Sequence, residues 1–202
     1  MIGVFDSGIG GLSVLEELEK VLPNEDFYYY GDSINNPYGE KSDQELLEIT
    51  SHIVDVLKEN GAKIIVIACN TATTRVMKKL REKYPKMIFV GTVPAIKVAS
   101  DHDSKNTLVM ATEATIHSLR TAELIRDNKR KDQNIYLVSC PGLANAIETK
   151  NEEKIKNILQ ETFLPYKDKN IDTIVLGCTH YPFIKKEILE ECMVASVAIT
   201  KV

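Results

Sequence analysis

Lys63-Ile64-Ile65-Val66-Ile67-Ala68-Cys69-Asn70-Thr71 and Asp172-Thr173-Ile174-Val175-Leu176-Gly177-Cys178-Thr179-His180 share one plan: an apolar run, a small residue, a cysteine, then polar residues including threonine. A run of Ile and Val that is apolar on both faces suits a parallel strand covered by helices, whereas a strand with one wet face would alternate. The two copies are offset by 109 residues, measured from Cys69 to Cys178. A weaker echo pairs Ile2-Gly3-Val4-Phe5-Asp6-Ser7 with Thr107-Leu108-Val109-Met110-Ala111-Thr112 at an offset of 106, measured from Asp6 to Thr112. Two similar offsets point to two related half-domains.

Further strand-like runs at Phe27–Gly31, Met87–Val90 and Ile135–Val138 extend the pattern. Between the strands, Leu12–Val21, Asp43–Asn60, Thr71–Tyr84, Thr115–Asp127, Glu152–Phe163 and Phe183–Cys192 carry helical spacing. Ser42 with Glu45 reads as a capping box opening the second of these helices. The alternation predicts an α/β protein with predominantly parallel sheets. Gly91-Thr92-Val93-Pro94, followed by the polar stretch from Ser100 to Asn106, marks a boundary, giving a first α/β domain over 1–95 and a second over 96–202.

Composition removes several classes of function. The chain has 202 residues, with 25 Lys+Arg against 29 Asp+Glu, hence a formal charge of −4. Phosphate neutralisation needs clustered basic residues, and the one dense stretch, Arg126 to Lys131, is interrupted by Asp127 and followed by Asp132, so no nucleic-acid partner is expected. The N-terminus has no positively charged signal region, and no apolar run approaches the ~20 residues of a membrane span. The expectation is a cytoplasmic protein without membrane association. Cys69, Cys140, Cys178 and Cys192 form no CxxC pair, so no zinc site and no disulfide framework is expected.

Ligands of open parallel sheets bind beyond the carboxyl ends of the strands, and four polar constellations fall at such ends. Asp6-Ser7-Gly8-Ile9-Gly10-Gly11 is a tight strand-to-helix turn, with Asp6 as a cap or as a cleft acid. It is not a dinucleotide fingerprint, which would need glycine at Ser13. Pro37-Tyr38-Gly39 follows Asp32 in a loop that turn chemistry alone would explain. Ala68-Cys69-Asn70-Thr71-Ala72 and Gly177-Cys178-Thr179-His180-Tyr181-Pro182 each place a thiol just before an expected helix N-terminus, where a thiolate would be stabilised. Asp6 or His180 could exchange a proton with a neighbouring thiol. Cys140 and Cys192 lack such surroundings and read as core, while His52, His102 and His117 show no metal-ligand pairing.

In this order, the four motifs resemble those of bacterial glutamate racemase, and Gly-Cys-Thr-His-Tyr-Pro favours that family over the aspartate racemases. Thr112-Glu113-Ala114-Thr115-Ile116-His117-Ser118 and Cys140-Pro141-Gly142-Leu143 are similar to the family's second-domain segments. The resemblance implies two α/β domains facing each other across a central cleft, and a metal-free, cofactor-independent racemisation of glutamate supplying D-glutamate for peptidoglycan. It implies Cys69 and Cys178 as the two proton-transfer groups on opposite faces of the substrate α-carbon, assisted by Asp6 and His180. Ser7, Tyr38, Gly39, Asn70, Thr71 and Thr179, with Asp6 and His180, match the substrate contacts, and Glu148 is a further candidate acid. A homodimer is compatible with the resemblance. Inversion is most simply achieved with a donor opposite the base, and a cysteine pKa can be tuned so that one thiolate and one thiol coexist.

The chain departs from the family at its C-terminus. Met193 to Val202 reads as a strand-like tail without the continuation that the resemblance implies, which is expected to leave apolar surface on the first domain. Three other readings compete: an inactive remnant acting as a binding module, a racemase of aspartate or another acid, and a hydrolase using Cys178 as nucleophile with His180.

Overall fold

The computed structural model describes residues 1–194. The chain divides into two compact units, Met1–Val93 and Pro94–Val202.

In the first unit, β1 (Ile2–Asp6), β2 (Phe27–Gly31), β3 (Ile64–Ile67) and β4 (Ile88–Gly91) form a sheet in the order β2-β1-β3-β4, with every pairing parallel. All five residues of β1 are buried, as expected of a strand with neighbours on both sides and covered faces. Phe5, Ile65, Ile67 and Phe89 look onto helices α2 (Asp43–Glu59) and α3 (Asn70–Lys83). Ile2, Val4, Val66 and Ala68 form a smaller cluster against Val14, Leu15 and Leu18 of α1 (Leu12–Val21). The expected capping box is present: Glu45 N–H donates to Ser42 Oγ, and Ser42 N–H donates to Glu45 Oε2. Such a cap contributes about 1 kcal/mol.

In the second unit, β5 (Asn106–Ala111), β6 (Asn134–Ser139) and β7 (Thr173–Gly177) form a parallel sheet in the order β6-β5-β7. Its core joins Leu108, Met110 and Ile174 to Leu143 of α7 (Leu143–Glu148), Leu159 and Phe163 of α8 (Glu152–Phe163) and Ile188 of α9 (Lys185–Val194). At the amino end of β7, Asp172 accepts hydrogen bonds from Lys105 N–H, Asn106 N–H and Ser104 Oγ, pinning the chain as it enters β5.

The internal repeat is structural. The order β2-β1-β3 in the first sheet matches β6-β5-β7 in the second, so β3 and β7, which precede the two cysteines, lie in the same way beside β1 and β5, and β4 extends the first sheet beyond β3.

Several local expectations are revised. The helix read over Thr115–Asp127 is two, α5 (Glu113–Ile116) and α6 (Leu119–Asn128), because Ser118 takes an extended conformation and its hydroxyl accepts from Thr121 N–H, starting a new helix. The polar stretch read as a boundary is partly helical, as α4 (Ile96–Asp101), and α7 was not anticipated; both are short and supported by tertiary burial. Met193 and Val194 close α9 and are not part of a strand-like tail, while the rest of that reading, 195–202, lies outside the described residues. Among the described residues, no helix is long and apolar enough to cross a membrane.

Candidate active site

The first unit gathers Asp6, Ser7, Tyr38, Asn70, Thr71 and Cys69 at the carboxyl ends of β1 and β3, and all six are buried. Asp6 ends β1 and is fully buried. The N-cap of α1 is Gly11, close behind it. The Asp6 carboxylate accepts Gly8 N–H at 3.2 Å within the turn that leads into this helix. A Cβ on Gly11 would stand 2.5 Å from Asp6 Cβ, so only glycine lets the helix begin this close to the carboxylate.

Cys69 is the N-cap of α3, and its sulfur accepts Ala72 N–H at 3.5 Å. The thiol lies 3.9 Å from Ser7 Oγ, across the gap between two strand ends. The helix N-terminus does not make it a resting thiolate. Burial first, and the charge of Asp6 second, push the Cys69 thiol up to about 12 against the backbone and hydroxyl hydrogen bonds that favour the anion. In the free protein Cys69 therefore carries its proton.

Tyr38 is only 2% exposed, and its hydroxyl donates to Asp32 Oδ2 at 2.7 Å. Asn35 Nδ2 donates to both oxygens of the same carboxylate, at 2.9 and 3.0 Å. Burial, then the bonded Asp32, raise the Tyr38 phenol well above its ordinary value. Asp32 in turn ties back to the first motif through its N–H, which donates to Asp6 O at 2.9 Å. Tyr38 is thus fixed through its hydroxyl, and Gly39 follows it in a single helical turn, Tyr38–Glu40. The role of Asp32 as an anchor was hidden in the sequence, because its partners are chosen by loop geometry. Asn70 is 8% exposed, and its Oδ1 has no hydrogen-bond partner, leaving a buried acceptor at the strand end.

The second unit surrounds Cys178 with different neighbours. His180 is 1% exposed, its Nδ1 lies 3.7 Å from Cys178 Sγ and its Nε2 lies 2.7 Å from Glu148 Oε1. Glu148 is the last residue of α7, so the helix missed in the sequence carries the carboxylate that orients the imidazole. Thr179 is buried beside them. Past Cys178 the chain takes another course than it does past Cys69. It enters a turn closed by Tyr181 N–H to Cys178 O and a short helical turn, Tyr181–Ile184, before α9 begins at Lys185. The expectation of a helix N-terminus directly after both thiols thus holds for Cys69 alone.

Cys140 and Cys192 are buried in the second core, and burial pushes their thiols up to about 11 and about 12. His117 pairs with Glu113 on the surface, and His102 bonds the Val98 carbonyl of its own helix. Among the described residues, no group of three or more His, Cys, Asp and Glu side chains could hold a metal ion.

Each unit thus offers one buried thiol at the end of a corresponding strand, the first beside a carboxylate and the second beside an imidazole held by a carboxylate. Such groups can take and return protons without a redox centre. Residues 2–202 match the family model described as Asp/Glu/Hydantoin racemase. The chain is 46% identical over 187 residues to a glutamate racemase of Clostridium perfringens, covering 91% of this chain and 72% of that protein. It superposes on the crystal structure of Escherichia coli glutamate racemase in complex with L-glutamate and an activator, with a TM-score of 0.86 at 33% identity, over 99% of this chain and 76% of that one. The Francisella tularensis glutamate racemase in complex with D-glutamate gives a TM-score of 0.82 at 32% identity, over 98% and 74% of the two chains.

Proposed function

The chain belongs to the Asp/Glu/hydantoin racemase family and is an amino-acid racemase, and from that premise we propose that it interconverts L- and D-glutamate, with Cys69 and Cys178 as the two proton-transfer groups. The observation that carries the two-base reading is the matched placement of the thiols: Cys69 follows β3 and Cys178 follows β7, which lie in the same way beside β1 and β5, and each has a titratable neighbour, Asp6 or His180.

In this reading one thiolate takes the α-proton, so the Cα–H bond breaks, an S–H bond forms and the electron pair stays on the substrate as a carboxylate-stabilised carbanion. The other thiol delivers its proton to the opposite face of Cα, its S–H bond breaking as the new C–H bond forms. The reverse reaction exchanges the roles. No metal or cofactor is required, because donors around the substrate carboxylate hold the developing charge. Cys69 rests as the neutral thiol and is poised as the acid. For the opposite direction its proton passes to Asp6, helped by the positive charge of a bound ammonium group, which favours the thiolate. His180, oriented by Glu148, serves Cys178 in the same way.

Ser7, Gly39, Asn70, Thr71 and Thr179 supply hydroxyl, amide and backbone partners for the substrate, and Tyr38 shapes the pocket with its hydroxyl held by Asp32. The D-glutamate formed would supply peptidoglycan synthesis in the cytoplasm. Polarimetry on L-glutamate, D-glutamate and L-aspartate tests the substrate: both glutamate enantiomers should decay to the racemic mixture and aspartate should not, whereas faster loss of aspartate rotation would move the assignment to that substrate.

A further inference from the structure

Resting on the proposal that Asp6 exchanges protons with Cys69, we infer that Tyr29, from the middle of β2, is a positioning residue that steadies the Asp6 carboxylate by holding the Gly8 carbonyl, and with it the turn that presents the Gly8 N–H.

Gly8 is held through both of its flanking peptide units. Its N–H donates to Asp6 Oδ2 at 3.2 Å, and its carbonyl accepts the Tyr29 hydroxyl at 2.6 Å. The two bonds come from adjacent strands, since β1 pairs with β2 in register from Ile2 and Phe27 to Asp6 and Gly31. The surroundings leave little room for another arrangement. A Cβ on Gly31 would stand 3.0 Å from the same Gly8 carbonyl, and one on Gly11 would stand 2.8 Å from Tyr29 Oη and 2.5 Å from Asp6 Cβ. Gly8 itself is buried. Glycine leaves the peptide units on either side of it free to rotate, so with the second unit tethered at its carbonyl and the Gly8 Cα thereby held in place, the first has less freedom to turn its N–H away from the carboxylate.

Phe27-Tyr28-Tyr29-Tyr30-Gly31 offers three tyrosines, and the period of two along a strand separates them. Tyr28 and Tyr30 pack against the larger core with α2 and α3, whereas Tyr29 packs on the α1 side, where the Asp6 turn lies. A hydrogen bond to a carboxylate favours its charged form, so loosening the Gly8 N–H raises the pH at which Asp6 titrates.

The test compares Tyr29→Phe with Tyr28→Phe, which removes a hydroxyl from the opposite face. Turnover of glutamate and the titration of the Asp6 carboxyl carbon followed by NMR are both read. Tyr29→Phe is expected to lower kcat about tenfold, leave KM within about twofold and move the Asp6 midpoint upward by about half a pH unit, and Tyr28→Phe to do none of these. A folded Tyr29→Phe protein with an unmoved Asp6 midpoint overturns the inference. Should Tyr29→Phe not fold, the wild-type Tyr29 hydroxyl proton decides: slow exchange with solvent in NMR supports its bond to the Gly8 carbonyl, and exchange at the rate of a free tyrosine overturns it. A wild-type protein that leaves glutamate unchanged while the midpoint shift is observed would sink the racemase reading and leave the tether standing.

Discussion

His180 Nε2 lies 2.7 Å from Glu148 Oε1, so the imidazole next to Cys178 is locked by a carboxylate that arrives on a separate short helix. The arrangement fixes which ring nitrogen faces the thiol, with Nδ1 left toward the sulfur at 3.7 Å.

Glu148→Gln keeps the shape of the contact and removes its charge. It should lower kcat about ten- to a hundredfold, the range by which positioned acid–base groups assist proton transfer, with little change in KM. Steady-state racemisation rates in both directions check this, and unchanged kcat would show that the carboxylate only packs.

The buried thiols set a pH limit on stability. Burial holds Cys69 and Cys192 up to about 12 and Cys140 up to about 11, above their ordinary value of 9.0. Between these values the unfolded chain has lost thiol protons that the folded chain retains, so unfolding becomes progressively easier as pH rises above about 9. Below that pH the thiols are protonated in both states and contribute no pH dependence. Urea midpoints measured from pH 7 to 10 should be flat at first and then fall, and a replacement of Cys192 by alanine should flatten the fall while costing some stability at pH 7.

Asp172 tests the lower end of the second sheet. Burial opposes its charge, but hydrogen bonds from Ser104, Lys105, Thr173 and Asn106 outweigh that and hold the carboxyl below its usual value. Asp172→Ala should cost about 2 kcal/mol by stranding backbone donors, seen as a lower urea midpoint with KM unchanged. The contribution of the carboxylate is present above its ordinary titration range and is lost as pH falls below it.

Gly11→Ala tests the crowding around Asp6. The new methyl would meet Asp6 Cβ at 2.5 Å, so the carboxylate must shift. A misplacement of that kind costs about a hundredfold in kcat. Full activity in a folded Gly11→Ala protein would show that the position of Asp6 is not critical.

The alternating pattern made the two parallel sheets legible, because Ile2–Phe5, Lys63–Ala68 and Thr173–Gly177 are apolar on both faces and need helices on either side. The offset between Cys69 and Cys178 also carried into three dimensions, because β3 and β7 lie in the same way beside β1 and β5. Less was visible where a single cap, a short element or a distant contact decides the outcome. The split at Ser118 turns on a hydroxyl capping its own downstream turn, and α4 and α7 have few residues with which to announce a helix. The protonation of Cys69 is also set beyond the sequence: the helix N-terminus that would favour a thiolate is legible there, but full burial and the nearness of Asp6 are products of the fold, and they prevail. Asp32 and Tyr29 anchor the site through partners 6 and 21 residues away, at spacings that no motif records.

The most direct measurement is proton NMR of L-glutamate and of D-glutamate in D₂O with the wild-type, Cys69→Ala and Cys178→Ala proteins. The two-thiol account predicts that wild-type protein replaces the α-proton of both enantiomers with deuterium and inverts them, and that neither variant produces inversion. Inversion retained by either single variant would contradict it.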